Sequence, residues 1–205
     1  MGISAEKFRT LQALHDPGVA RAWRRCLLSL VDQVSLTQTQ YAQIESRYQT
    51  VGELFDAPND HRLSGTTFFA QGSFLSRTVI KPPSGGTIDV DAVIWSPNSS
   101  NMSPAEFYDA VYKELAARCR TQREVSRKNR CSRVQYADNS PKFHLDLTPA
   151  VNAFNNQKTS GDGNLLVPDL REIAAGNTGW KPSAPKAFAE WLQRESEREI
   201  RLRTE

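Results

Sequence analysis

Cysteine is scarce in this chain of 205 residues: Cys26, Cys119 and Cys131 are an odd number with no CxxC or finger-like spacing. That excludes a disulfide framework and a structural zinc site. Long hydrophobic runs are also missing. The best, CLLSLV at Cys26–Val31, falls far short of the roughly 20 apolar residues of a membrane span. The first residues, MGISAEKFRT, lack the basic and apolar regions of a secretory leader. A cytoplasmic address without membrane contact is expected. Charge of one sign does not dominate either. Twenty-six Lys and Arg against 23 Asp and Glu leave a net +3, which argues against a uniformly basic, sequence-blind DNA binder. No internal repeat or long low-complexity segment is present. What remains, 39% hydrophobic and 24% charged residues, is enough for a core that needs no covalent staple.

The small charge excess is unevenly distributed. Arg118, Arg120, Arg123, Arg127, Lys128, Arg130 and Arg133 are opposed only by Glu124, so this stretch carries +6 and the rest of the chain −3. Two readings stand side by side: a solvated helix end and loop, or a patch for a nucleic acid, a nucleotide or a regulatory protein.

Periodicity gives the organisation. Helices are expected over Ser4–His15 and Val19–Val34, separated by Asp16-Pro17-Gly18. Ser35 with Gln38 reads as a capping box opening a longer helix. In it Tyr41, Ile44, Tyr48, Val51 and Leu54-Phe55 form one apolar stripe, suited to lying on a sheet. The period then shortens. Thr66–Gln71 and Thr87–Trp95 read as strands, with Ser84-Gly85-Gly86 as the turn between them. Ser103, Pro104 and Glu106 start a helix to Arg120, apolar at Phe107, Val111, Leu115 and Ala116. Ser132–Ala137 and Lys142–Val151 follow as strands around the turn Asp138–Pro141, then a loop at Asn155–Asn164 and a helix over Pro185–Arg203.

The chemistry starts with TIDVDAVIW. On a strand, Ile88, Val90, Ala92 and Ile94 share one face, while Asp89 and Asp91 lie side by side on the other. Paired acids repel unless a cation neutralises them, and Asp is a poor strand former. Two solvent-facing acids are the plain alternative to a site for a hard divalent cation. Asp146 in FHLDL is a third mid-strand acid, opposite Phe143, Leu145 and Leu147. If the two strands are neighbours, three carboxylates converge, the layout for two-metal attack of a hydroxyl on a phosphoryl centre. Gln71-Gly72-Ser73-Phe74, with Ser73 sixteen residues before Asp89, supplies a phosphate cradle: Gly72 admits close backbone approach and Ser73 offers a hydroxyl. Lys81 and Arg77 flank it, as triphosphate contacts or as solvated surface. His144 reads either as a phosphate or carboxylate contact or as a strand histidine with local hydrogen bonds. Trp95 and Tyr136 read as core rather than base-stacking platforms, and Gly161-Asp162-Gly163 as a turn rather than a calcium loop.

The set QGSFLSRT (Gln71–Thr78), IKP (Ile80–Pro82), IDVDAV (Ile88–Val93) and FHLDLTPAV (Phe143–Val151) resembles the nucleotidyltransferases of the DNA polymerase β superfamily. Within it, the chain is most similar to the bacterial cGAS/DncV-like group, which makes cyclic oligonucleotide signals in antiphage defence. SLTQTQYAQIESRYQTV and WKPSAPKAFAEWL share the likeness, which runs from about Ser35 to Leu192.

The resemblance implies an α+β fold: a polymerase β-type lobe whose mixed twisted sheet packs on a long amphipathic helix. It divides the chain into N-terminal helices at 1–34, a catalytic core at 35–180 and the first helix of a second, helical lobe at 181–205, most of that lobe being absent. It implies that Gly72 and Ser73 hold the triphosphate, with Gln71 and Lys81 beside them. Asp89, Asp91 and Asp146 would hold two Mg²⁺ ions, with Mn²⁺ able to substitute, and Asp146 would help deprotonate the acceptor hydroxyl. Ribonucleoside triphosphates would be joined with loss of pyrophosphate. Open alternatives are another superfamily activity, on an RNA, protein or antibiotic acceptor, and a catalytically silent nucleotide-binding fragment. A DxD glycosyltransferase explains neither Gly72-Ser73 nor Asp146.

Overall fold

The computed structural model describes residues 17–82, 86–97, 99–119, 123–136, 142–153 and 164–204. The expected helix Ser4–His15, the turns Ser84–Gly86, Asp138–Pro141 and Gly161–Gly163, the loop Asn155–Asn164 and residue Arg120 lie wholly or mostly outside those residues.

Helix α1 (Pro17–Val34) is amphipathic yet buries none of its residues. Trp23, Leu27, Leu30, Val31 and Val34 remain exposed along one side. Helix α2 (Gln38–Gly52) starts two residues later than the expected cap. Its box is Thr37 with Gln40: the Thr37 hydroxyl accepts from the Gln40 backbone N–H at 3.2 Å and the Gln40 side-chain Oε1 accepts from the Thr37 N–H at 2.9 Å. Ser35 instead forms a bridge with Ile80, so its backbone is extended and unavailable as a cap. The expected stripe faces inward, with Ile44, Val51 and Phe55 buried and Tyr41, Tyr48 and Leu54 packed against the same core. Close packing needs Gly52, where a Cβ would stand 2.8 Å from the Phe68 ring.

Among the described residues the sheet has seven strands: β1 (Thr67–Gln71), β2 (Ile88–Trp95), β3 (Arg123–Arg127), β4 (Ser132–Tyr136), β5 (Phe143–Asn152), β6 (Leu165–Pro168) and β7 (Trp180–Ser183). The order is β1-β2-β5-β4-β3, with β6 joined to the far end of β5 and β7 to β6. The pair β2–β5 is parallel and the others are antiparallel. The sheet is therefore mixed, as expected. A parallel pair needs a long crossover, and helix α4 (Pro104–Arg118) lies within it. Ser103 and Glu106 form its capping box and Pro104 its first turn. Phe107, Val111 and Leu115 are buried as the spacing predicts, but Ala116 is exposed, and Tyr108, Ala110 and Glu114 are buried instead.

Alternation along β2 splits the core. Ile88, Val90, Ala92 and Ile94 join the large core beneath α2 and α4. On the other face the apolar residues begin only at Val93 and Trp95, which pack with Ala150, Leu165 and Val167. The first half of that second face belongs to Asp89 and Asp91. Short helices α3 (Gly72–Leu75) and α5 (Leu170–Ala174) and the C-terminal α6 (Pro185–Thr204) complete the described elements. Strands β3, β6 and β7 have no counterpart in the expected pattern. No helix among the described residues is long and apolar enough to cross a membrane.

Candidate active site

Parallel pairing sets the site. In the β2–β5 register Asp89 lies opposite His144 and Asp91 opposite Asp146. Because partners in register point to the same face, two residues of spacing on each strand bring four polar side chains to one patch. The neighbouring pairings extend it, with Gln71 opposite Asp91 on β1 and Arg133 opposite Asp146 on β4.

The three acids occupy different environments. Asp89 is exposed, its side chain at 59%, while Asp146 is buried. Asp91 lies between, and its carboxyl is pushed up to about 6, first by burial and then by the neighbouring charges of Asp89 and Asp146, against a pull from Arg133. Arg133 grips Asp146 with both prongs: Nε donates to Oδ1 and a terminal nitrogen to Oδ2, each at 2.7 Å. The same guanidinium stands 4.0 Å from Asp89. A bidentate pair fixes the carboxylate plane and leaves further lone pairs on both oxygens. Arg133 therefore orients Asp146 without exhausting it. The nearby Cys131 thiol is pushed up to about 12 by burial and by the Asp146 carboxylate, so it stays a neutral thiol.

His144 Nε2 lies 2.7 Å from Asp89 Oδ1. The approach is short but out of line, and this fully buried nitrogen makes no hydrogen bond. Donor atoms of Asp89, His144 and Asp146 all fall within 4.8 Å of one another. Two carboxylates, an imidazole nitrogen that makes no hydrogen bond and Asp91 beside them suit a divalent cation, which would satisfy the nitrogen and offset the carboxylate repulsion.

The turn after β1 presses directly on this group. Gly72 has φ +60°, and a Cβ there would stand 2.5 Å from Asp91 Oδ2. Only glycine allows both the backbone angle and the approach. Ser73 follows at the start of α3, and its hydroxyl bonds to no protein group among the described residues. Gln71 turns into the sheet, its amide donating to Thr148 Oγ1 at 3.1 Å. Lys81 donates its backbone N–H to the Val34 carbonyl at 2.6 Å, and its ammonium forms no ion pair among the described residues. Arg77 adopts φ 56° and lines a cavity of about 810 Å³ between the α3 turn and α6, bounded also by Thr78, Lys186 and Gln193. No carboxylate of the site lines that cavity. Of the three acids only Asp89 is exposed.

Arg133 escapes sequence reasoning: it is one of seven cations between positions 118 and 133, and only the β4 register singles it out. His144 is readable as a candidate carboxylate contact from its even spacing to Asp146, but nothing in the sequence separates it from an ordinary strand histidine. Four of the seven cations of the basic stretch pair with groups of the fold, Arg127 and Arg130 at its surface. Arg118 bonds the carbonyls of Leu54 and Ala57 and the buried Glu114, and Arg127 pairs with Asp109 at 2.5 Å. Arg130 pairs with Asp169 at 2.7 Å. Trp95 and Tyr136 are buried.

A family model described as the Second Messenger Oligonucleotide or Dinucleotide Synthetase domain (SMODS) matches residues 23–195. Among solved structures, the chain is similar to the Bradyrhizobium diazoefficiens CD-NTase CdnG in complex with GTP. The TM-score is 0.60 at 21% identity, over 78% of this chain and 42% of that one. The Vibrio cholerae DncV cyclic AMP-GMP synthase, a prokaryotic cGAS homolog, gives 0.59 at 17% identity over 82% and 59%. Escherichia coli DncV in its 3′-deoxy GTP bound form gives 0.61 at 17% over 82% and 60%. The chain thus spans between 42% and 60% of the length of these proteins. No curated protein sequence matches it significantly.

Proposed function

The chain belongs to the second messenger oligonucleotide or dinucleotide synthetase family, and we propose on that premise that it is the nucleotidyltransferase core of a cyclic oligonucleotide synthase. Its fold is the polymerase β-type nucleotidyltransferase fold shared with CdnG and DncV. The observation that carries the reading is the register of β2 against β5, which sets Asp89, Asp91 and Asp146 on one patch beside the Gly72 backbone.

The roles follow from position. Gly72 and Ser73 bring a tight turn and an uncommitted hydroxyl to the edge of the carboxylates, where a triphosphate would lie. Gln71 acts through the sheet, holding the end of β1 against Thr148. Lys81 is proposed as a further triphosphate contact. Asp89, Asp91 and Asp146, with His144 beside them, would hold the divalent ions, proposed as Mg²⁺ or Mn²⁺. Such ions supply Lewis-acid charge for the attacking oxygen and the departing pyrophosphate. Arg133 keeps Asp146 in one rotamer while that residue accepts a proton from the attacking ribose hydroxyl.

The substrates proposed are ribonucleoside triphosphates, in keeping with the GTP held by CdnG and the AMP-GMP product that names DncV. A cytoplasmic role in antiphage signalling is proposed with them. The pairing of Arg118, Arg127, Arg130 and Arg133 with acids or carbonyls of the fold makes a nucleic-acid surface there a weaker reading than a structural one.

Incubation with labelled ribonucleoside triphosphates and Mg²⁺ or Mn²⁺, with products identified by mass spectrometry, tests this. The expected result is a cyclic product absent from the double variant Asp89→Asn/Asp91→Asn. Linear extension of an added RNA would favour a polymerase-like activity. Triphosphate binding with no turnover would favour a silent binding module.

A further inference from the structure

We propose that His144 is a metal ligand of this site, and that its nitrogen biases the site toward first-row transition ions such as Mn²⁺ and away from Mg²⁺. This rests on the nucleotidyltransferase reading for the presence of a metal, and goes beyond it in naming a ligand outside the three acids.

Three observations meet at this residue. Register places His144 opposite Asp89 and two residues before Asp146, so all three side chains share one face. Its Nε2 is buried and makes no hydrogen bond, its near neighbour being the Asp89 carboxylate at 2.7 Å, and the side chain is 13% exposed. A buried nitrogen beside a carboxylate without a hydrogen bond between them leaves both groups poorly satisfied, and a shared cation would satisfy both. Finally, that atom and one oxygen each from Asp89 and Asp146 lie within 4.8 Å of one another. One ion reached by bonds of roughly 2.0–2.3 Å spans such a group.

The donor set then discriminates between cations. Mg²⁺ prefers an all-oxygen octahedron and gives up water reluctantly. First-row transition ions accept imidazole, with affinity rising along the series from Mn²⁺. Asp91 offers only oxygen and faces the Gly72 turn, so it serves either class of ion equally. The discrimination therefore resides in one side chain. Arg133 already holds both oxygens of Asp146 in place, and each keeps a lone pair for an ion.

The test is pulsed electron paramagnetic resonance of the full chain loaded with Mn²⁺, alone and with a non-hydrolysable nucleoside triphosphate analogue. Imidazole ¹⁴N modulation is expected in the wild type and should vanish in His144→Gln and His144→Phe. Calorimetric titration should show Mn²⁺ affinity falling about tenfold in both variants, the range seen when a metal site loses one supporting group, with Mg²⁺ affinity little changed. Mn²⁺ bound without nitrogen coupling in the wild type overturns the inference, and needs no variant to fold. Coupling that persists in both variants, or an equal loss for both ions, also overturns it. The two readings fail separately. Oxygen-only Mn²⁺ with triphosphate turnover refutes the ligand and leaves the enzyme, while nitrogen coupling without turnover supports the ligand and refutes the enzyme. Absence of any Mn²⁺ binding refutes both.

Discussion

Replacing Asp91 with Asn should stabilise the protein in the absence of divalent cations. In the folded chain this carboxyl is pushed up from 3.8 to about 6, by burial first and then by Asp89 and Asp146. Above pH 6 the folded protein therefore holds a charge that the site disfavours, whereas the unfolded chain does not. At about 1.36 kcal/mol per pH unit the face-value penalty is roughly 3 kcal/mol. Water still reaches this half-buried carboxylate, and screening reduces the figure to about 1–2 kcal/mol. Asn keeps the shape beside Gly72 and removes the charge.

The sign is fixed by proton linkage. Between pH 3.8 and 6 the folded form binds more protons at Asp91 than the unfolded form, so this group's contribution to stability falls as pH rises through that window. Below it, wild type and Asp91→Asn should be equally stable. Above it, the variant should lead. Thermal unfolding in a chelating buffer at pH 7.5 should show its midpoint higher by about 2–8 °C, given about 2–4 °C per kcal/mol for a chain of this size. The gap should narrow as pH falls through that window and close below 3.8, where both states hold the proton. Saturating Mn²⁺ should invert the order, because about 100-fold excess over the dissociation constant adds roughly 2.7 kcal/mol to a protein that binds it and little to one that does not. A gap independent of pH, or a variant less stable than wild type without metal, refutes the assignment of strain to this charge.

Gly72→Ala meets two obstacles, the left-handed φ of +60° and the 2.5 Å approach to Asp91 Oδ2. A loss of about 1–3 kcal/mol in denaturant unfolding is expected, with weaker Mn²⁺ binding because Asp91 must swing aside; unchanged values for both would show that the turn can relax. Arg133→Met leaves Asp146 buried without its partner and should cost about 3 kcal/mol, the usual penalty for breaking a buried pair. Arg133→Lys keeps the charge but not the two-pronged grip, so an intermediate loss is expected; a Lys variant as stable as wild type would mean that the fork contributes nothing beyond geometry-free attraction.

What the sequence makes legible follows from periodicity and breaks down where periodicity is silent. Asp89 and Asp91 are readable as neighbours because a strand alternates, and Ile88, Val90, Ala92 and Ile94 state which face is inside. Asp146 is readable as a third acid, but its distance from the first two is not. Only the parallel β2–β5 register, set up across the helical crossover, turns three acids in a line of text into one patch. Strands β6 and β7 are four residues each and show too few alternations to declare themselves. Strand β3, Arg123–Arg127, reads as a charge run because its side chains are mostly polar; its place at the sheet edge comes from pairing with β4. The shifted cap at Thr37 has the same origin, since Ser35 is drawn into a bridge with Ile80, a contact forty-five residues ahead. Charge is the hardest property to place. The +6 stretch suggests an external anion, yet the anions it meets belong to the fold: Asp109 and Glu114 on α4, Asp146 on β5 and Asp169 at the start of α5. An excess that looks regional in sequence is local neutralisation in space. Arg133 shows the consequence for function: the cation that matters to the site is the one whose register partner is a site carboxylate, not the one with the most basic neighbours.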